Sequence, residues 1–177
     1  NIDNDKNKIL LTFGGSDVKD FSFKVLNILE NFDRCLNIKV IIGPLFKKNN
    51  KEKIVNFVDK SKNKITIVNK PKSIYKYIIW SDLAISNSGL TKYELAATGT
   101  PAIHVSVDNY HKKVNSSFLE HGSAIEIVGN LKNSLNEAVN NILVNKTIYK
   151  KMSDNGKRNV NCLGAKNIIK EILKFNV

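Results

Sequence analysis

The sequence predicts an α/β fold, a Rossmann-like parallel sheet of about six strands with helices on both faces. Three observations predict it. Short apolar runs recur at residues 8–13, 38–42, 65–68, 83–86, 102–105 and 124–128. Between them, apolar residues repeat at helical spacing, and strands separated by helices of roughly 10 to 15 residues imply right-handed βαβ crossovers. Several runs also stop at small residues or proline, as buried parallel strands do when they leave a sheet.

Residues 8–13 form the first strand, closed by a tight turn at Gly14 and Gly15. Phe21, Val25, Ile28, Leu29 and Phe32 then recur at helical spacing and give an amphipathic helix. The second strand, 38–42, stops at Gly43-Pro44, and the lysine-rich stretch 47–60 presents Ile54, Phe57 and Val58 on one face of a surface helix. Residues 65–68 are the third strand, and 73–80 a short helix with Ile74, Tyr77 and Ile78 inward. Strands at 83–86 and 102–105 enclose a helix over 88–98, stopped by Gly99. A helix over 109–121, a last strand at 124–128, and helices over 131–144, 148–157 and 165–175 complete the chain. With no low-complexity linker and no internal repeat, residues 1–177 read as a single domain.

The net charge of +12 invites a nucleic-acid reading, since Lys and Arg carry the salt-dependent part of backbone binding. The pattern argues against it. Only Arg34 and Arg158 of the 28 basic residues are arginine, and the lysines are scattered among abundant Asn and Ile, a mixture AT-rich codons produce. There is no compact basic run, zinc finger or aromatic RNA-binding pattern. A diffuse positive field still draws in anionic small molecules. Cys35 and Cys162 lack any ligand or redox spacing, so they read as reduced thiols in a cytoplasmic protein without a metal site. No apolar run approaches the roughly 20 residues of a transmembrane helix, and the polar start is no signal peptide. The absence of an initiator Met suggests an excised fragment.

Four loops converge at the carboxyl edge of such a sheet, where α/β folds bind ligands. The most informative is Ser86-Asn87-Ser88-Gly89, which opens a helix and so aims unpaired N–H groups and the positive end of its dipole at an anion. Ser88 and Thr91 add hydroxyl donors, while a plain N-cap by Asn87 or Ser88 is the alternative. Glu94 lies on the face shared with Leu90 and, roughly, Thr91. Its carboxylate can accept two vicinal ribose hydroxyls, or be an ordinary exposed helical glutamate. Gly14, Gly15 and Ser16 follow a strand, where the glycines allow close backbone approach and Ser16 or Asp17 caps the next helix. No third glycine follows, so this is not the dinucleotide fingerprint. His111, with Asp108, Asn109 and Tyr110, would overhang the ligand; His104 and His121 are weaker candidates. No hydrolase triad is present.

With these residues placed, the chain resembles the C-terminal nucleotide-binding domain of GT-B enzymes, in particular the PseG/SpsG group of UDP-sugar hydrolases and spore-coat polysaccharide proteins. The resemblance covers nearly the whole chain. It rests on Leu11-Thr-Phe-Gly-Gly-Ser-Asp17, Ile42-Gly-Pro44, Lys70-Pro71, Asp82-Leu-Ala-Ile-Ser-Asn-Ser-Gly-Leu-Thr-Lys-Tyr-Glu94, Gly99-Thr-Pro101, the Asp108-Asn109 loop and Gly164-Ala165. It implies UDP or a UDP-sugar at the carboxyl edge, with Ser88, Gly89, Leu90 and Thr91 on the diphosphate and Glu94 on the ribose. Backbone near Val68 to Lys70 would meet the uracil, Gly14, Gly15 and Ser16 the phosphates or sugar, and Asp108, Asn109 and His111 the sugar. Neither metal nor cofactor is implied, because helix-end N–H groups stabilise the leaving diphosphate. The group's Asn-Gln pair stands here as Asn109-Tyr110. Its N-terminal domain, with the proposed catalytic histidine, lies outside these residues. Three functions follow from the likeness: half of a UDP-sugar hydrolase, the donor half of a MurG-like glycosyltransferase, or a binding subunit completed by a separate chain.

Overall fold

The computed structural model of the chain describes residues 6–87, 89–106, 109–129 and 131–174, the side chains of 109–112 excepted. The chain alternates β1 (Lys8–Thr12), α1 (Phe21–Leu29), β2 (Asn37–Ile42), α2 (Lys48–Val58), β3 (Lys64–Asn69), α3 (Tyr75–Ile78), β4 (Leu83–Ser86), α4 (Thr91–Thr98), β5 (Ala102–Val105), α5 (Asn109–Glu120) and β6 (Ala124–Ile127). It ends in three helices, α6 (Leu131–Val144), α7 (Lys146–Asn159) and α8 (Gly164–Lys174). The strands form one six-stranded sheet in the order β3-β2-β1-β4-β5-β6, with every neighbouring pair parallel. This is the Rossmann-like architecture the apolar runs predict.

Alternation along the strands explains the two layers. Ile9, Leu11, Leu83, Ile85, Ile103 and Val105 face one side, against Val25, Leu26 and Leu29 of α1 and Leu135, Val139 and Ile142 of α6. Leu10, Ile41, Ala84, Ala102 and Ala124 face the other, against Ile78, Leu95, Ala96 and Phe118. The small strand residues on this second face let α4 lie close to the sheet. On its outer side α7 approaches α4 so closely that a Cβ on Gly156 would stand 2.6 Å from the Ala96 carbonyl oxygen. Helix α8 buries none of its residues, and Ile168, Ile169, Ile172 and Leu173 are all exposed.

The element order matches the sequence reading, with one difference that bears on the site. Helix α4 begins at Thr91, not at residue 88, and Leu90 occupies the N-cap with no side-chain cap bond. The reason is local: the Asn87 side chain accepts from the Gly89 N–H (3.4 Å) and donates to the Phe13 carbonyl (3.5 Å), which ties Gly89 back to Asn87 ahead of the helix. Asparagine side-chain bonds of this kind compete with helix for the same backbone.

Candidate functional site

Sheet register brings the carboxyl ends of the strands together. Thr12 pairs with Ser86 and Ser86 with His104, so the loops after β1, β4 and β5 leave side by side. The order of strand addition reverses between β1 and β4: β1 leads outward to β2 and β3, and the chain then crosses to add β4, β5 and β6 on the other side. Open α/β sheets bind ligands at this crevice.

The loop after β1 is held from both sides. Asp17, 3% exposed, accepts from the N–H groups of Phe21 and Ser22 at 2.8 Å each, so of the two candidate caps for α1 it is Asp17, not Ser16, that serves. Ser16 is half-buried, while Gly14 and Gly15 are exposed at the rim. Gly14 has φ +75, a conformation that favours glycine. The Gly15 carbonyl accepts from Leu45 N (2.8 Å), pinning this loop to the one after β2. Gly43 lies directly beneath, where a Cβ would meet the carbonyl oxygens of Gly14 and Gly15.

The loop after β4 meets the same rim through Asn87, whose contact to Phe13 bridges the crevice. Lys92 N donates to Gly89 O (3.3 Å) and Tyr93 N to Leu90 O (3.0 Å), one tight turn before the regular helix. The amides of Leu90 and Thr91 precede these and have no intrahelical acceptor, as at any helix start. Leu90 is 83% exposed, Thr91 half-buried, and Glu94 is exposed within the first turn of α4. Val68 packs with the second-face core, and Lys70, at φ +45, donates its N–H to Ile42 O (2.8 Å). Beyond it a pocket of about 440 Å³ is lined by Pro71, Lys72, Ser73, Tyr75, Lys76 and Tyr77. Ser88, Asp108 and the side chains of Asn109, Tyr110 and His111 lie outside the described residues.

Two histidines fall away as ligand contacts. His104 is 1% exposed, with Nδ1 3.0 Å from Ser86 Oγ and its ring edge-on to Phe118. Burial, and then the nearby Lys92 charge, pushes its pKa down to about 4, so it is a neutral core residue. His121 is exposed in the turn before β6, at the opposite edge of the sheet.

Sequence reading missed a buried polar group on the second face. Lys92, 3% exposed, joins Asn115, Ser106 and Glu126 there, and burial lowers its pKa while the Glu126 carboxylate works to raise it. The available signal was Glu126, which alternates with Ile125 and Ile127 and so shares its face with Ala124. Among the described residues, no three His, Cys, Asp or Glu side chains cluster as metal ligands, and no helix is long and apolar enough to cross a membrane.

Compared with known proteins, residues 9–172 match the glycosyltransferase family 28 C-terminal domain. The crystal structure of Acinetobacter baumannii MurG is similar at TM-score 0.79 and 18% identity, over 97% of this chain and 50% of that one. Anabaena Alr3699/HepE in complex with UDP-glucose is similar at TM-score 0.75 and 11% identity, over 96% of this chain and 49% of that one. The UDP-GlcNAc 2-epimerase of Neisseria meningitidis bound to UDP-GlcNAc gives TM-score 0.64 and 17% identity, over 98% and 45%. Uncharacterized protein MJ1062 of Methanocaldococcus jannaschii is 31% identical over 120 residues, 63% of this chain and 25% of that protein. The chain therefore spans about half the length of the solved structures it matches and a quarter of that relative. The fold is that of a GT-B C-terminal half.

Proposed function

This chain belongs to the glycosyltransferase family 28 C-terminal domains, and on that premise we propose that it is the UDP-binding half of an enzyme that breaks UDP-sugars at the anomeric carbon. One observation carries the reading: the loops after β1 and β4 are bridged by Asn87 across the switch point of the sheet, directly before the start of α4. A diphosphate seated over Gly89, Leu90 and Thr91, with Ser88, would meet first-turn N–H groups and the positive end of the helix dipole. Glu94, one turn on, would accept the ribose hydroxyls. Backbone near Val68 to Lys70 would meet the base, and Gly14, Gly15 and Ser16 would meet the phosphates or the sugar from β1. The sugar would extend toward Asp108, Asn109 and His111.

Chemically, this half serves the leaving group. As the bond from the anomeric carbon to the β-phosphate oxygen breaks, UDP departs with the bonding pair, and oriented N–H groups stabilise the charge that develops. In the sharper form of the proposal the entering group is water and the product is free sugar, as in the PseG/SpsG hydrolases of polysaccharide and nonulosonic-acid synthesis. The base that activates it would come from an N-terminal GT-B domain or a partner chain. Such a donor places the work in the cytoplasm. The family match and the likeness to MurG favour a second reading, in which an acceptor hydroxyl replaces water.

Calorimetry tests the shared part of both readings. Binding of UDP, with inorganic phosphate much weaker, is expected; no heat at millimolar UDP, or equal heats for UDP and phosphate, would refute a nucleotide site. Incubating the full-length protein with UDP-sugar and no acceptor then separates the two, because a transferase releases little free sugar.

A further inference from the structure

Lys92 follows Thr91 in the first turn of α4, yet its side chain runs away from the anion loop into the protein. Its Nζ donates to the Val114 carbonyl (2.8 Å) and to Asn115 Oδ1 (3.4 Å) on α5. Asn115, fully buried, donates onward to Glu126 Oε1 on β6 (2.9 Å) and to Ser106 Oγ at the end of β5 (3.3 Å), and the Ser106 hydroxyl donates to the same Glu126 oxygen. The Phe118 ring, 5.3 Å from the ammonium, closes one side. One buried chain of contacts thus joins α4, α5, β5 and β6.

Its anchor points are informative. Val114 and Asn115 lie on α5, whose first turn carries Asn109 and His111, two of the residues assigned above to the sugar. Lys92 is covalently next to Thr91, assigned to the diphosphate. Burying an ammonium and a carboxylate costs several kcal/mol per ion unless both are well met, and an apolar residue of like volume would fill such a site at no such cost. Buried ionic groups are best explained where they hold two elements in one arrangement.

We propose that Lys92 is a positioning residue that locks the start of α4 to α5, fixing the spacing between the diphosphate seat and the helix start that carries Asn109 and His111, and hence the affinity for a nucleoside diphosphate sugar relative to the bare nucleotide. The inference rests on the nucleotide reading for its ligand and on the contacts alone for its mechanical part. Two variants separate them: Lys92→Met, and Lys92→Met with Glu126→Gln, which leaves no buried charge uncompensated and guards against misfolding.

Hydrogen exchange on the ligand-free 177-residue chain should show α5 amides about tenfold faster in both variants, with β1 and α1 unchanged. Calorimetry should show UDP affinity within about threefold of wild type, while the affinity for UDP-glucose or UDP-GlcNAc relative to that for UDP falls at least about fivefold. Unchanged α5 exchange, or equal acceleration throughout the chain in both variants, would overturn the proposal. So would equal losses for UDP and both UDP-sugars. A wild-type chain that gives no heat with UDP removes the nucleotide reading instead, and the exchange data still decide whether Lys92 locks α4 to α5.

Discussion

Gly43 sits so tightly under Gly15 that any side chain on it would collide with the Gly15 carbonyl. The same carbonyl accepts from Leu45, so the loops after β1 and β2 are fastened at one point. Gly43→Ala must therefore push the Gly14-Gly15 rim outward. Overpacking of this kind costs about 1–3 kcal/mol. Urea denaturation should show that loss, and UDP affinity should fall with it because the rim faces the crevice; an unchanged midpoint with unchanged affinity would show that the rim yields freely.

Asp17 makes a different demand on the same loop. Its carboxylate takes two first-turn N–H groups of α1 while almost fully buried, so Asp17→Ala strands both donors and removes the cap. A lost cap costs about 1–2 kcal/mol. Asp17→Asn should recover part of it, since the amide oxygen still accepts one bond. Thermal melts of the three proteins should rank wild type, Asn, then Ala. If Asn falls no less than Ala, charge rather than bonding carries the effect.

Much of this fold is legible in sequence because strands buried on both faces are continuous apolar runs, and 83–86 and 102–105 begin and end where small or polar residues interrupt them. The start of α4 is less legible. Asn87 and Ser88 look like helix caps, but Asn87 is committed to Gly89 and Phe13 through contacts only the folded sheet creates. Lys92 is harder still: a lysine between Thr91 and Tyr93 at a helix start reads as surface, and its partners come from residues 114 and 115, distant in sequence. His104 misleads in the opposite way, since a histidine at a strand end near a crevice suggests a ligand contact while strand alternation turns it inward.

Glu94 separates a nucleotide site from a plain anion hole. It is exposed on the first turn of α4, near Leu90 and Thr91, and its substitution disturbs no core contact. Glu94→Ala should leave the melting temperature nearly unchanged and weaken UDP by at least about tenfold, the scale of hydrogen bonds to a charged acceptor. Inorganic phosphate, which has no ribose, should bind as before. Equal losses for both ligands would mean that Glu94 acts through the helix rather than on a sugar hydroxyl.

His104 makes stability depend on pH in a predictable direction. Its pKa is about 4 in the folded protein, against an ordinary 6.5 in the unfolded chain. Below pH 6.5 the unfolded state gains a proton that the folded state refuses, so stability falls between 6.5 and about 4 and levels off for this group beneath that. The full difference corresponds to at most roughly 3 kcal/mol. His104→Asn retains a polar partner for Ser86 without a titrating ring, so its urea midpoint should vary less over that interval than that of wild type. The comparison must be a difference between the two proteins, because carboxylates common to both titrate at its lower end. Parallel curves for the two would mean that the imidazole gains a proton without opening the Ser86 contact, and that the second face of the sheet admits water at low pH.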